Sequence, residues 1–261
     1  MLDASSATSS ATLSATLSAT LSRLREDTDD AMLRWSVPDD GLLGVWRDGA
    51  SFVLARDRGM RDGVAGPWFL AFGDESALSA LVRTASADLG HQPTAVTIDA
   101  DAVDALPEEW SLEVRGRWDY MVTTAAPPAF PGIEVVEISN PAAINAVLDD
   151  AYSQAWARPG DPTVICWLGA HDAAGLASVG ALTSTVNGGA HLHAVTTLPR
   201  ALGHGFGSAV SAGLTRRGLA EISAEVTLGV YTANQRAIDL YERLGYLRVH
   251  RLASSAVAQA G

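Results

Sequence analysis

The chain has 261 residues, enough for about two domains at ~150 residues each. Its 48% hydrophobic and 18% charged residues are ordinary globular usage and exclude wholesale disorder, a collagen helix and a coiled coil. Thirty acidic against eighteen basic side chains give a formal charge of −12; such a field repels phosphate backbones, so no nucleic-acid partner is expected and a cationic one, such as an amine, is favoured.

In chain order, residues 1–10 open a low-complexity start read as disordered. Ala4 to Ser22 uses almost only Ala, Ser, Thr and Leu and lacks the basic and long apolar regions of a secretory signal. Leu13, Leu17, Leu21 and Leu24 recur at helical spacing, which predicts a helix from about Ala11 to Trp35. That helix packs on its own domain or docks on a second subunit, so a homodimer is one of two readings. Leu42 to Val45 and Ser51 to Ala55, separated by Arg47-Asp48-Gly49, predict a hairpin. Pro67 to Phe72 reads as a buried strand, Asp74-Glu75 opens a helix to about Leu89, and Thr94 to Ile98 is a strand. A short helix from Ala102 to Trp110 and a strand from Leu112 to Thr123 complete an N-terminal α/β domain set at residues 11–126. The Pro-rich stretch 127–132 is a linker.

The second domain, set at 133–252, starts with a strand from Ile133 to Ile138 and a helix from about Ala142 to Trp156. After a loop at Arg158-Pro159-Gly160-Asp161-Pro162 come strands Thr163 to Leu168, Leu176 to Ser184 and His191 to Thr197. A glycine loop and a helix to about Arg217 follow, then strand Glu225 to Tyr231, helix Asn234 to Leu244 and strand Tyr246 to Leu252. Residues 253–261 are read as a tail. A lone cysteine, Cys166, excludes a disulfide framework and a cysteine-rich zinc site and fits a reducing cytoplasm. No apolar run reaches the ~18 residues of a membrane span, so no membrane partner is expected.

The most informative segment is Leu202-Gly203-His204-Gly205-Phe206-Gly207, between a strand and a helix. Glycines admit positive φ and close backbone approach. The first N–H groups of the helix point back into the loop, so the segment is either an anion site or a tight turn built for helix packing. It is not a P-loop, because no Gly-Lys-Ser/Thr follows, and hairpins upstream fit a Rossmann opening poorly. Downstream lies Asn234, then Ala237-Ile238-Asp239-Leu240-Tyr241-Glu242-Arg243-Leu244-Gly245-Tyr246. The glycine loop together with this N-x-x-A-x-x-L-Y-E-R-L-G-Y run resembles the GNAT acetyltransferase superfamily, over about Ile133 to Leu252.

The resemblance implies an α/β fold with a mixed, bent central sheet flanked by helices, here preceded by a smaller α/β domain. It implies an acetyl-CoA-dependent N-acetyltransferase acting on a primary amine of a small molecule or amino acid, with acetyl-CoA as cosubstrate and no metal. The backbone of Val195, Thr196 and Thr197 would pair with the pantetheine arm, and the loop Leu202, Gly203, His204, Gly205, Phe206 and Gly207 would hold the pyrophosphate. The family's leading Gln or Arg falls on Leu202, a departure; a shifted frame headed by Arg200 is the alternative. Asn234 would lie beside the pantetheine and Tyr241 near the acetyl sulfur, where a phenol can protonate the departing thiolate. A carboxylate often drawn from the strand before the loop is missing. His193 and Glu225 are therefore the base candidates, with His191 a sheet histidine and His204 a neighbour of CoA. Tyr152, Trp156 and Asp161, with Arg158, stand where acceptor contacts arise. Two other readings stand beside this one: a CoA-binding or ligand-sensing protein with little turnover, and a protein N-acetyltransferase. The first half is read as a degenerate copy of the fold or as an unrelated small domain. With Phe72-Gly73-Asp74-Glu75 at its loop position, it is expected to hold no second acetyl-CoA.

Overall fold

A computed structural model describes residues 4–57 and 66–258. It divides the chain into two compact units: Met1–Arg34, Pro38–Trp118 and His250–Gly261 form the first, and Trp35–Val37 with Asp119–Val249 the second.

The first unit opens with helix α1 (Ala4–Thr28) and the greater part of helix α2 (Ala31–Ser36). The helix thus starts within the stretch expected to be disordered, where Ala4, Ala7 and Ala11 keep helical spacing upstream of the leucines. It is also two helices rather than one. Asp29 takes a left-handed φ of 49°, and the Asp30 carboxylate accepts the Leu33 N–H at 2.9 Å as the cap of α2. Strands β1 (Leu42–Asp48) and β2 (Ser51–Asp57) form the expected hairpin, with Asp48 opposite Ser51. Then come β3 (Pro67–Phe72), α3 (Glu75–Leu89), β4 (Ala95–Asp99) and the first part of β5 (Leu112–Thr123). The short helix expected at Ala102 to Trp110 is a 3-10 turn at Ala100–Ala105. Phe69, Leu78, Val82, Ile98 and Trp110 make the core of this unit.

The second unit holds the rest of β5, then β6 (Val135–Glu137), α4 (Pro141–Ala151), β7 (Val164–Asp172), β8 (Gly175–Ser184) and β9 (Ala190–Thr197). They are followed by α5 (Phe206–Glu221), β10 (Val226–Tyr231), α6 (Gln235–Arg243) and the first residues of β11 (Leu247–Val257). Its strand order is β5-β10-β9-β8-β7-β6. Helix α4 stops at Ala151, short of the expected Trp156. Arg158 folds the chain back by donating to Asn145, Asp149 and the Ser153 carbonyl. One core packs α5 and α6 on one sheet face through Leu192, Val210, Leu228, Ile238 and Tyr246. Another packs α4 on the other face through Ile144, Leu148, Trp167 and Ala181.

The expected tail is not a tail as far as Val257. Strand β11 continues through it and pairs with β4, Leu252 opposite Asp99 and Ala256 opposite Ala95, in the first unit. Residues 1–3 and 259–261 of the expected start and tail lie outside the described residues. No described helix is long and apolar enough to cross a membrane.

Candidate functional site

Strands β9 and β10 run parallel and share register only at Ala190–Val226, His191–Thr227 and Leu192–Leu228. Beyond Leu192, β9 continues to Thr197, and beyond Leu228, β10 continues to Tyr231, without further register. On the other side of β9 the ladder to β8 slips: Ala181 faces His193, but Val179 faces Thr196. Gly180 thus opposes two residues, Ala194 and Val195, which is a β-bulge. Ala194 sits at φ 51°, a conformation costing an alanine about 1 kcal/mol. A Cβ on Gly180 would come within 3.1 Å of the Val195 side chain and 2.8 Å of the Leu214 side-chain terminus, so a larger residue opposite the bulge would force these side chains to shift. In the bulged stretch Thr196 is buried, while the Thr197 hydroxyl pairs with Ser178 at 2.9 Å.

The chain then makes a 3-10 turn at Pro199–Ala201 and enters the glycine loop. Gly203 and Gly205 both take φ 87°, and Gly205 is the N-cap of α5 with no side chain capping the helix. A Cβ on Gly207 would lie 2.9 Å from the Thr197 hydroxyl, so this glycine lets the helix start approach the end of β9. The N-terminus of α5 is left open as an anion site, and these residues fit the pyrophosphate of a CoA. The Leu202 side chain is 45% exposed and contributes nothing polar. Arg200, head of the alternative frame, is bound to Asp172 and to the Leu176 carbonyl instead. The exposed His204 ring meets the Leu202 carbonyl at 3.1 Å. Phe206 packs into the core of the unit.

Asn234 caps α6, its side chain accepting the Ala237 N–H at 3.2 Å. Two turns on, Tyr241 is buried with its ring edge-on to Tyr246, centroids 5.7 Å apart. Burial pushes the Tyr241 phenol up to about 12; Ser211 pulls the other way, and the Tyr152 phenol adds to the rise.

On the α4 face of β9, His193 stacks on His191 with centroids 4.5 Å apart. Burial pushes the His193 imidazole below its ordinary value, and the Asp161 carboxylate opposes the shift. Asp161 is itself fixed by the N–H and hydroxyl of Thr163 at 2.8 and 2.7 Å. His191 is driven lower still by burial and by His193, and its Nδ1 lies 2.8 Å from the Thr227 hydroxyl. That hydroxyl donates to the Ala190 carbonyl, so His191 is the donor at Nδ1 and stays neutral.

Glu225, the second base candidate, is drawn away from this place. It precedes β10 at the end where β9 and β10 are still paired, about 10 Å along the strand from Leu228, and its carboxylate accepts the Trp35 indole N–H. Tyr152 ends α4 with its phenol raised by burial and by Tyr231. Trp156 is exposed on the loop that follows. Tyr231, 54% exposed at the end of β10, was not among the expected site residues. Its signal was available, since β10 alternates along Val226 to Tyr231 and places Tyr231 on the side of Thr227, whose partner is His191.

The corresponding place in the first unit is closed. β3 and β4 stay in register up to Ala71–Ile98. The N-terminus of α3 is filled by the Asp74 carboxylate, which accepts from Ala77, Ser76 and Ser51. A Cβ on Gly73 would fall 2.1 Å from the Ser51 hydroxyl.

A family profile described as FR47-like protein matches residues 168–253, from β7 into β11. No curated protein matches the sequence. Among solved structures, the GCN5-related N-acetyltransferase from Sphaerobacter thermophilus superimposes with a TM-score of 0.51 and 16% identity, over 81% of this chain and 78% of that one. The GCN5-related N-acetyltransferase-like protein from Streptococcus suis gives 0.50 and 13%, over 94% and 99%. A GNAT-family acetyltransferase from Colwellia psychrerythraea gives 0.50 and 11%, over 80% and 81%. The fold of this protein is that of the GNAT superfamily.

Proposed function

We propose that the protein is an N-acetyltransferase that takes acetyl-CoA and a primary amine of a small molecule or amino acid. The observation that carries this reading is the parting of β9 from β10, ending on an α5 N-terminus that no side chain caps. Acetyl-CoA supplies the activated acyl group. Val195, Thr196 and Thr197 offer backbone groups to the pantetheine and to the developing oxyanion; Gly203 to Gly207 receive the pyrophosphate. Asn234 offers its amide N–H beside the pantetheine.

An alkylammonium has a pKa near ~10 and must lose its proton before it can attack. His193, held neutral by burial, accepts that proton directly or through water. Asp161 attracts the cationic amine, and Tyr152 and Trp156 pack its body. Tyr241 keeps its proton at neutral pH and gives it to the sulfur as the thiolate departs. Glu225 has no part, being engaged by Trp35. The filled α3 N-terminus supports a single acetyl-CoA site per chain.

Leu202, where the family has a polar residue, favours a second reading, a CoA-binding sensor with little turnover. Calorimetry with acetyl-CoA and a thiol-release assay over a panel of amines and peptides with free N-termini separate the readings. Turnover of a small amine supports transfer, and turnover restricted to peptides moves the acceptor to proteins. Tight binding without turnover supports the sensor, and absence of binding overturns both. Gly205→Val should abolish binding, because it puts a branched side chain at φ 87° with Ile133 already 3.3 Å from the Cβ position.

A further inference from the structure

Ser211, in the middle of α5, has no part in the roles assigned above. It is 0% exposed, and its Oγ makes no hydrogen bond of ordinary geometry. Thr215 lies one turn further along the same face. Its hydroxyl donates to the Ser211 carbonyl at 2.8 Å and meets the Tyr246 phenol at 2.8 Å. A hydroxyl has one proton, so Thr215 must accept from Tyr246, and Tyr246 spends its own proton there. Tyr246 stands edge-on to Tyr241. Thr215 therefore serves one of two neighbouring phenols, and Ser211 lies one turn before it on the same face of α5. The Thr215–Tyr246 pair is closed. The Ser211 proton is uncommitted, and a buried hydroxyl left without a partner is costly.

We propose that Ser211 is a positioning residue for acetyl transfer: its O–H donates to the Tyr241 phenol oxygen, aims the Tyr241 proton into the parting of β9 and β10, and steadies the phenolate once that proton has gone. The inference rests on the transferase reading. In the step concerned the C–S bond breaks, the sulfur leaves with the electron pair and takes the Tyr241 proton, and the phenolate regains a proton from water after product release. The pull of Ser211 on the Tyr241 phenol, against the rise caused by burial, has the sign that such a donor requires.

The test has an arm that needs no turnover. In the full chain labelled with 13Cζ-tyrosine, Tyr241→Phe assigns the Tyr241 line, and Ser211→Ala should shift it because the phenol oxygen loses a donor. A line that stays at its wild-type position overturns the proposal. In the kinetic arm, Ser211→Ala should lower kcat about three- to tenfold, the rate equivalent of one neutral hydrogen bond, with the KM for acetyl-CoA little changed. It should cost nothing further in the Tyr241→Phe background. An equal loss in both backgrounds overturns the proposal, since a purely structural serine acts whether or not the phenol is present. Ser211→Cys, a weaker donor of similar volume, should fall between and serves if the alanine variant fails to fold. If no amine is acetylated, the transferase reading fails while the labelled line still decides the Ser211–Tyr241 contact.

Discussion

At the scale of single residues, burial acts on two titratable groups in opposite directions and to one end. It pushes the His193 imidazole down, which leaves the proposed base unprotonated at neutral pH, and the Tyr241 phenol up to about 12, which leaves the proposed acid protonated. Tyr241→Phe should therefore lower kcat more than it raises the acetyl-CoA KM. The loss is expected at about a hundredfold or less, because a thiolate whose thiol has a pKa near ~8.5 is a tolerable leaving group. The ring still packs on Tyr246, so thermal melts should shift by less than about 1.5 kcal/mol. Unchanged kcat where chemistry limits turnover removes the phenol from the mechanism. For the base, the acidic limb of kcat/KM should lie below ~6.5. Asp161 opposes the downward shift of His193, so Asp161→Asn should move that limb further down. A limb indifferent to both Asp161→Asn and His193→Gln would mean another group takes the amine proton.

At the scale of elements, two strand–loop–helix units of similar order meet opposite ends. In β3–α3 the ladder runs to the loop and Asp74 occupies the helix N-terminus; in β9–α5 the ladder stops early and a glycine leaves the N-terminus open. The glycines at 203, 205 and 207 were legible because positive φ and close approach leave a residue-type signature. The bulge at Ala194 was not legible from local sequence, since alanine carries no left-handed preference, and it is set by the ladder to β8, where Gly180 opposes it. Asn234 serves two purposes that one variant separates. Asn234→Asp keeps the oxygen that caps α6 but loses the amide N–H proposed for the pantetheine. It should retain the melting temperature while weakening acetyl-CoA binding, whereas Asn234→Ala should also lose about 1 kcal/mol of stability. If calorimetry finds the aspartate variant binding like wild type, Asn234 is a helix cap alone.

At the scale of the whole molecule, both β5 and β11 pass from one compact unit to the other along their length. A cut at the Pro-rich stretch would thus remove Asp119–Thr123, and with it Met121, from the core of the second unit. In the first unit distant segments meet at His250, whose Nε2 lies 2.6 Å from Asp30 and whose Nδ1 lies 3.6 Å from Asp99, with Phe72 against the ring. Burial alone would lower this imidazole; the bonds to Asp30 and Asp99 prevail and raise it to about 9. For Asp30, burial raises the carboxyl, but the His250 bond and charge outweigh it and hold it below its ordinary value. The imidazole's contribution is therefore full below its unfolded value of ~6.5 and is lost as pH rises through about 9. The carboxylate's is full above its unfolded value of ~3.9 and is lost as pH falls. His250→Gln should destabilise by on the order of 3 kcal/mol at pH 6 and by much less at pH 9.5. Melts that fall equally at both pH values would show that the ring is filler rather than a charged clamp.

Local sequence determined the elements whose information lies within a few residues. The β1–β2 hairpin, the PWFLAF strand at Pro67–Phe72, the helix after Asp74, and the glycine loop with Asn234 and Tyr241 downstream are all of this kind. Turn chemistry, period and capping act over one or two turns of chain, so they can be read there. Tertiary structure alone placed His193 just beyond the last paired residue of β9 and Glu225 at the paired end of β10 beside Trp35, which is what separates the two base candidates. It also carried the residues after Leu252 into a ladder with β4, and brought Asp30, Asp99 and His250 together from three distant segments. Those outcomes depend on strand order and long-range burial, free energies that no single stretch of sequence contains.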